Sequence, residues 1–196
     1  HLAGVKTVQK IVEASIVLKI PIISFYVFSS ENWKRPKSEI NYLFNLINLY
    51  FNKEINNLIR NNIKIVISGR KKNLPSKIRS ILKKTISKTR KNNKLIVNLA
   101  INYGSKNEII DAVKKINEKS QNITESNIDR NLYSRLPFPD ILIRTGGQKR
   151  LSNFMIWQLA YTEIFFLDKL WPDFTTKELK KIISKYNKIK RNFGSI

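Results

Sequence analysis

No cysteine occurs anywhere in the 196 residues. Disulfides, thiolate chemistry and cysteine-ligated zinc are therefore excluded together, and nothing points to an oxidising compartment. Long apolar runs are also missing. No uninterrupted stretch approaches the ~18 residues that suggest a membrane span, and the first residues lack the apolar block of a secretory signal. A cytoplasmic location, at most peripheral to a membrane, is the expectation. Acidic residues are scarce: fourteen Asp and Glu stand against thirty-seven Lys and Arg, for a formal charge of +23. Such an excess suits a polyanion or an anionic lipid surface. However, the lysines are scattered through nearly every segment beside abundant Asn and Ile, residues with AT-rich codons, and no arginine-rich arm or zinc finger appears. Compositional drift, a polyanion face and a lipid face all stay open on charge alone.

The residues that are present can fold. At 42% apolar, the chain suits one domain with a sizeable core, 1–196. Leu2, Val5, Val8, Ile11, Val12 and Ile16 recur at helical spacing before Pro21, and a strand-like run follows from Ile22 to Phe28. A long helix is expected from about Ser38 to Asn61, with Ile40, Leu43, Phe44, Ile47, Phe51, Ile55 and Leu58 as its apolar stripe. Next come a strand over Ile63–Ser68, a basic helix over Pro75–Asn92, a strand over Leu95–Ile101 and a helix over Ser105–Lys119. Asp140–Arg144 and Glu163–Leu167 read as strands, and Thr175 to about Lys190 as a closing helix. This alternation predicts an α/β fold with parallel strands.

Two polar clusters sit where such folds bind ligands, at the carboxyl ends of strands. The first is RTGGQKRLSN, Arg144–Asn153. Its strand reads as covered on both faces. Gly146 and Gly147 can take positive φ and bring backbone N–H groups to an anion, and Arg144 and Arg150 offer planar forks for phosphate oxygens. Ser152 and Asn153 fall where a helix N-cap is expected, adding the helix dipole. A plain strand-to-helix connection with surface arginines is the competing reading. The second cluster is FSSENWKRP, Phe28–Pro36, in which Ser29, Ser30, Glu31, Asn32, Trp33 and Arg35 crowd hydroxyls, a carboxylate, an amide, an aromatic face and a guanidinium into one loop, with Glu39 a turn into the next helix. A simple turn needs no such variety, although Trp33 could merely cap the core.

FSSENWKRP, INYGS, RTGGQKRLSN and FMIWQLAYTEIFF, in this order and spacing, resemble the cis-prenyltransferases, and among them the bacterial undecaprenyl diphosphate synthases. The resemblance runs from HLAG at His1 to the FG at Phe193. It implies a mixed, largely parallel six-stranded sheet flanked by helices, a hydrophobic tunnel walled by the long helix and the strands carrying Ile63 and Leu95, and a homodimer. The implied activity is Mg²⁺-dependent, repeated condensation of isopentenyl diphosphate with farnesyl diphosphate. Its cis-polyprenyl (undecaprenyl) diphosphate product is the lipid carrier precursor of bacterial cell-wall synthesis, including peptidoglycan, and its release implies peripheral membrane contact. By position, Arg144, Arg150 and Ser152 would bind isopentenyl diphosphate. Ser29, Ser30, Glu31, Asn32, Trp33, Arg35 and Glu39 would form the substrate loop, with Ser29, Asn32, Arg35 and His1 nearest the chemistry. Glu163 would assist Mg²⁺, a reading that a carboxylate opening an apolar strand also favours, since an unpaired charge there is costly. Trans-type prenyltransferases carry aspartate-rich motifs, and no two aspartates are adjacent here.

The chain departs from the family pattern in three places. An Asp-Gly-Asn-Gly-Arg-Trp stretch, the family's principal Mg²⁺ ligand and allylic diphosphate cradle, would precede His1. The first strand is accordingly expected to be missing, and the 196 residues alone to be negligibly active. Near the C-terminus, Asn192 stands where the family has the arginine that reaches the partner subunit, with Arg191 one residue away. Gln148 replaces an acidic residue common in bacterial members. A non-catalytic partner subunit is the second reading, but such subunits lose the substrate loop, whereas FSSENWKRP and RTGGQKR are intact. A basic nucleic-acid-binding protein is a third, and binding of nucleic acid is not expected.

Overall fold

A computed structural model describes residues 2–190. In chain order the elements are α1 (Leu2–Val17), β1 (Ile22–Ser29), α2 (Lys37–Arg60), β2 (Ile63–Ser68), α3 (Ser76–Thr89), β3 (Leu95–Tyr103), α4 (Ser105–Glu118), α5 (Glu125–Asn131), β4 (Ile141–Arg144), β5 (Glu163–Phe166) and α6 (Thr176–Tyr186), with 3-10 turns at Ser30–Lys34 and Trp171–Asp173. These divide into two compact units, one spanning Lys19–Leu136 and the other combining the N-terminal residues to Leu18 with the chain from Pro137 onward.

In the Lys19–Leu136 unit the strands form a parallel sheet in the order β1-β3-β2. Strand β3, hydrogen-bonded on both sides, is buried along almost its whole length, as a central parallel strand should be. Helix α2 buries Ile40, Phe44, Phe51, Ile55 and Leu58 from the expected stripe. Helix α3 buries Ile78, Ile81, Leu82, Thr85 and Thr89, and the Thr89 hydroxyl accepts a hydrogen bond from the Ile65 N–H (3.1 Å) on the outer edge of β2. That bond covers one edge group that water would otherwise have to satisfy. The short helix α5, capped by the Thr124 hydroxyl, escaped the sequence reading because its seven residues carry one apolar position, Ile128.

Register along β1 and β3 is regular from Ile22↔Ile96 to Tyr26↔Ala100, then breaks: Phe28 pairs with Ile101 and Ser29 with Tyr103. Val27 is the extra residue on one side of this bulge and Asn102 on the other. Asn102 takes a left-handed φ of 51°, uncommon for a residue other than glycine but tolerated best by Asn and Asp. Bulges of this kind re-aim side chains at a strand end.

The other unit holds a two-stranded parallel sheet, β4-β5, paired from Ile141↔Glu163 to Arg144↔Phe166. All four β4 residues are half-buried, and Ile164 and Phe166 on β5 are exposed. The expectation that β4 is covered on both faces is therefore not met within this unit. Helix α1 is tied to the Trp171–Asp173 turn by Thr7 Oγ1 donating to the Pro172 carbonyl (3.0 Å) and Trp171 Nε1 donating to the Gly4 carbonyl (3.1 Å). A capping box at Thr175 and Glu178 starts α6.

Candidate functional site

The loop after β1 is ordered by its own side chains. The Asn32 side-chain oxygen accepts from the Ser29 N–H (2.9 Å), closing the Ser30–Lys34 turn. Trp33 lies edge-on to Phe28 (ring centroids 5.2 Å apart) and tilted against Phe44 (5.6 Å), so three aromatic rings line the base of the loop. Its indole Nε1 donates to Asn102 Oδ1 (2.8 Å). Arg35 Nη1 donates to Glu39 Oε1 at 2.7 Å, one turn apart and largely exposed, a pairing that orients the guanidinium more than it stabilises the fold. Beneath the loop, the Tyr26 hydroxyl is pushed up to about 12, first by burial and then by the nearby Glu31 carboxylate, while hydrogen bonding with Ser29 pulls the other way. Tyr26 thus stays a neutral donor, and its OH reaches the Tyr103 carbonyl (3.2 Å). Ser29, Ser30, Glu31, Asn32, Trp33, Arg35 and Glu39 are brought together as the sequence predicts.

Sequence reasoning missed the partner elements of this loop. Besides holding Trp33, Asn102 donates from Nδ2 to the carbonyls of Arg70 (2.9 Å) and Lys72 (3.0 Å). Arg70 in turn makes two bonds to Asp111, each 2.7 Å. The signal available was Asn102 itself, a polar residue just past the expected Leu95–Ile101 strand, within the INYGS motif.

In the other unit, Arg144 stands at the carboxyl end of β4, as predicted. Its Nη1 donates to Ser152 Oγ (3.0 Å), and its Nε is buried without a protein acceptor. Loss of solvent, and secondarily the charge of Arg150, press the Arg144 guanidinium toward its neutral form. Two cations that repel each other, one with an unused buried donor, form a site that an anion would relieve.

Two details of the expected cradle are corrected. The N–H groups of Gly146 and Gly147 do not face an anion: they donate to the carbonyls of Lys169 and Leu167, both at 2.9 Å. Their positive φ values (90° and 71°) serve that turn. Nor do Ser152 and Asn153 start a helix. Ser152, Asn153 and Met155 have φ of 49°, 63° and 43°, left-handed values that a right-handed helix cannot contain, and residues 152–161 run as successive turns. The geometry thus leaves side chains, not these backbone N–H groups, to form the expected cradle.

Glu163 opens β5, opposite Ile141, whereas Arg144 pairs with Phe166 at the other end of the ladder. Three residues of strand, roughly 10 Å, separate them. Glu163 is half-exposed rather than buried, so the desolvation argument for a metal does not apply to it. Among the described residues no three His, Asp or Glu gather as a cation cage. A single carboxylate fits Mg²⁺ only where substrate phosphates complete the shell, the usual arrangement for this ion. His1, Arg191 and Asn192 lie outside the described residues.

A prenyltransferase family model, described as undecaprenyl diphosphate synthase, matches residues 1–194. The chain belongs to this family. Among its relatives are isoprenyl transferases of Fusobacterium nucleatum, 42% identical over 100% of this chain and 86% of that protein, and of Halalkalibacterium halodurans, 43% identical over 100% and 80%. The crystal structure of a probable undecaprenyl diphosphate synthase from Campylobacter jejuni matches with a TM-score of 0.91 at 39% identity, covering 100% of this chain and 93% of that one. Lavandulyl diphosphate synthase from Lavandula x intermedia, in complex with dimethylallyl diphosphate, matches with a TM-score of 0.94 at 28% identity, covering 100% and 88%. The α/β fold and the prenyltransferase assignment read from the motifs both stand. Within the described residues no helix is long and apolar enough to cross a membrane.

Proposed function

We propose that this prenyltransferase condenses isopentenyl diphosphate repeatedly with farnesyl diphosphate, forming cis-polyprenyl (undecaprenyl) diphosphate as a lipid carrier precursor for cell-wall synthesis. The observation that carries the reading is Arg144, with its buried Nε lacking a protein acceptor and its charge opposed by Arg150. A diphosphate supplies the missing acceptor and the counter-charge. Arg144, Arg150 and Ser152 hold isopentenyl diphosphate through its oxygens, and the Ser29–Glu39 loop orients the allylic substrate.

In each cycle the allylic C–O bond breaks and pyrophosphate departs with the bonding electrons. The isopentenyl double bond attacks the allylic carbon, and loss of a proton creates the new double bond. Positioning and charge stabilisation do most of this work. Arg35, oriented by Glu39, faces the developing negative charge, and the apolar surface of Phe28, Trp33 and Phe44 keeps water from the cation. Glu163 is the carboxylate of the described residues assigned to Mg²⁺, which neutralises diphosphate charge when bound. The exposed Ile164 and Phe166 edge supports a homodimer, and the exposed lysines of α3 support transient contact with anionic lipid.

The test is incorporation of labelled isopentenyl diphosphate onto farnesyl diphosphate by the purified protein with Mg²⁺. Arg144→Ala is expected to raise the KM for isopentenyl diphosphate about 10–100-fold. Absence of any elongated lipid product from the wild-type protein would overturn the assignment.

A further inference from the structure

We propose that Asn102 is a positioning residue of this site, setting the indole of Trp33 and at the same time holding the basic loop Arg70–Lys72 to the same edge of the sheet. This rests on the reading of the Ser29–Glu39 loop as the one that orients the allylic substrate. The strand order places Asn102 to do both. Asn102 lies one residue before the end of the central strand β3, where one side chain can reach both neighbours, the loop after β1 on one side and the loop after β2 on the other. Its amide makes both contacts: Oδ1 accepts from Trp33 Nε1, and Nδ2 donates to the carbonyls of Arg70 and Lys72. The Asn102 carbonyl also accepts from the Arg70 N–H (3.1 Å).

The site is built, not incidental. Asn102 is buried, with 6% of its surface exposed, both side-chain N–H donors are engaged, and its oxygen accepts from Trp33. The bulge that skips it in the β1–β3 register and its left-handed φ of 51° turn the side chain to this use. Gly69, the residue just after β2, is the matching feature on that side. A Cβ there would stand 2.0 Å from the Ile101 carbonyl oxygen, so the backbones approach closely just where Asn102 reaches across.

The indole bond matters because aromatic contacts alone leave Trp33 some choice. Packing against Phe28 and Phe44 fixes where the ring lies, while a directional N–H bond fixes which edge faces the loop. A substrate held against that ring inherits its orientation, and a misplacement of about 1 Å can cost up to ~100-fold in rate.

The variants separate this role from a merely structural one. Asn102→Gly keeps the left-handed backbone and removes both sets of bonds. Asn102→Asp tolerates the same φ and keeps an acceptor for Trp33, but loses the donors to Arg70 and Lys72. Trp33→Phe removes only the indole donor, and it also assigns the Trp33 indole signal in a ¹H–¹⁵N spectrum of the complete gene product. In Asn102→Gly that signal should move and its proton should exchange faster, while in Asn102→Asp it should stay hydrogen-bonded. Turnover should fall about 10–100-fold in Asn102→Gly, mainly in kcat, with the KM for isopentenyl diphosphate unchanged. Asn102→Asp should keep most of its turnover, and adding Trp33→Phe to Asn102→Gly should cost little more.

An unmoved indole signal in Asn102→Gly overturns the proposal. So does loss of turnover in Asn102→Asp equal to that in Asn102→Gly while the indole bond persists. If Asn102→Gly does not fold, the Asn102→Asp and Trp33→Phe pair decides by the same criteria. If the wild-type protein elongates nothing, the functional assignment fails separately, and farnesyl diphosphate titration of the Trp33 signal still decides whether Asn102 orients a ligand-contacting ring: no response in the wild type, or an equal response in Asn102→Gly, refutes it.

Discussion

Arg70 and Asp111 face each other through two parallel hydrogen bonds of 2.7 Å, and the Tyr133 hydroxyl donates to the same carboxylate at 2.5 Å. The bonds from Arg70, with Tyr133 adding to them, hold the Asp111 carboxyl below its ordinary 3.8, whereas partial burial pulls the other way. A carboxylate with a depressed folded pKa adds stability that is present above the unfolded value and lost as pH falls below it. Asp111→Asn should therefore lower stability by about 1–2 kcal/mol at neutral pH, allowing for partial exposure. The difference from wild type should close as pH falls below the ordinary Asp range, which denaturant titrations at neutral and acidic pH would measure. A difference independent of pH would assign the effect to packing alone.

Gly69 should not tolerate a side chain. Its φ is 135°, and a Cβ would sit inside the van der Waals shell of the Ile101 carbonyl. Backbone, not a flexible side chain, must then shift. Gly69→Ala is expected to cost about 2–4 kcal/mol and to perturb Arg70 and Asn102, its neighbours across β2 and β3. Thermal unfolding gives the first effect and backbone amide shifts the second. An alanine variant of wild-type stability would show that the β2–β3 approach is looser than described.

The third expectation concerns acid. Glu178 is lowered from the ordinary 4.5 to about 2 by the Lys169 ammonium, and then by the Thr175 hydroxyl and N–H at the start of α6. Its contribution is complete above about 4.5 and disappears as pH falls toward 2. Glu178→Gln should remove that slope and fray the first turn of α6, whereas Thr175→Ser should leave both nearly unchanged. Circular dichroism melts between pH 5 and about 2 would separate the two variants, and equal slopes in wild type and Glu178→Gln would contradict the assignment.

Which parts of this were legible beforehand follows from how each is specified. Strand β2 and the buried face of α2 are written in local apolar periodicity, and the Ile63–Ser68 bounds could be read directly. The loop after β1 was legible as a crowd of unlike polar groups after a strand. Residues 152–161 were not: Ser152, Asn153 and Met155 adopt left-handed φ without a glycine to announce it, so a pattern that reads as a helix start becomes a chain of turns. Asn102 was hidden for a different reason. Its importance lies in reaching two loops distant in sequence, which depends on β3 being central, and strand order is not a local property.

The basic face of α3 offers a fourth test. From Lys71 to Lys94 there are ten Lys and Arg and no acid or aromatic residue, and Lys77, Arg79, Lys83, Lys84 and Lys88 are exposed on the helix. Without aromatic rings to stack bases, this surface suits headgroup charge better than single-stranded nucleic acid. Lys77, Lys83, Lys84 and Lys88 replaced together by Gln should reduce sedimentation with phosphatidylglycerol vesicles and leave turnover in detergent unchanged. Equal sedimentation of both proteins would return the charge to compositional drift.

The relation between Arg144 and Arg150 leads to a prediction of opposite signs. Without a ligand, Arg150 opposes the charge of Arg144, which is already disfavoured by loss of solvent. Removing Arg150 should therefore raise the melting temperature of the unliganded protein slightly, as relief of strain at a binding site often does. The same substitution should weaken diphosphate binding, because one of two forks is lost. In wild type, pyrophosphate should raise the melting temperature through binding to the folded state alone. Arg150→Gln should shrink that rise, and Arg144→Lys, which keeps charge but not the planar fork, should fall between wild type and Arg144→Ala. Should pyrophosphate stabilise Arg150→Gln as strongly as wild type, Arg150 would not be part of the anion site, and the carrying observation would reduce to Arg144 and Ser152.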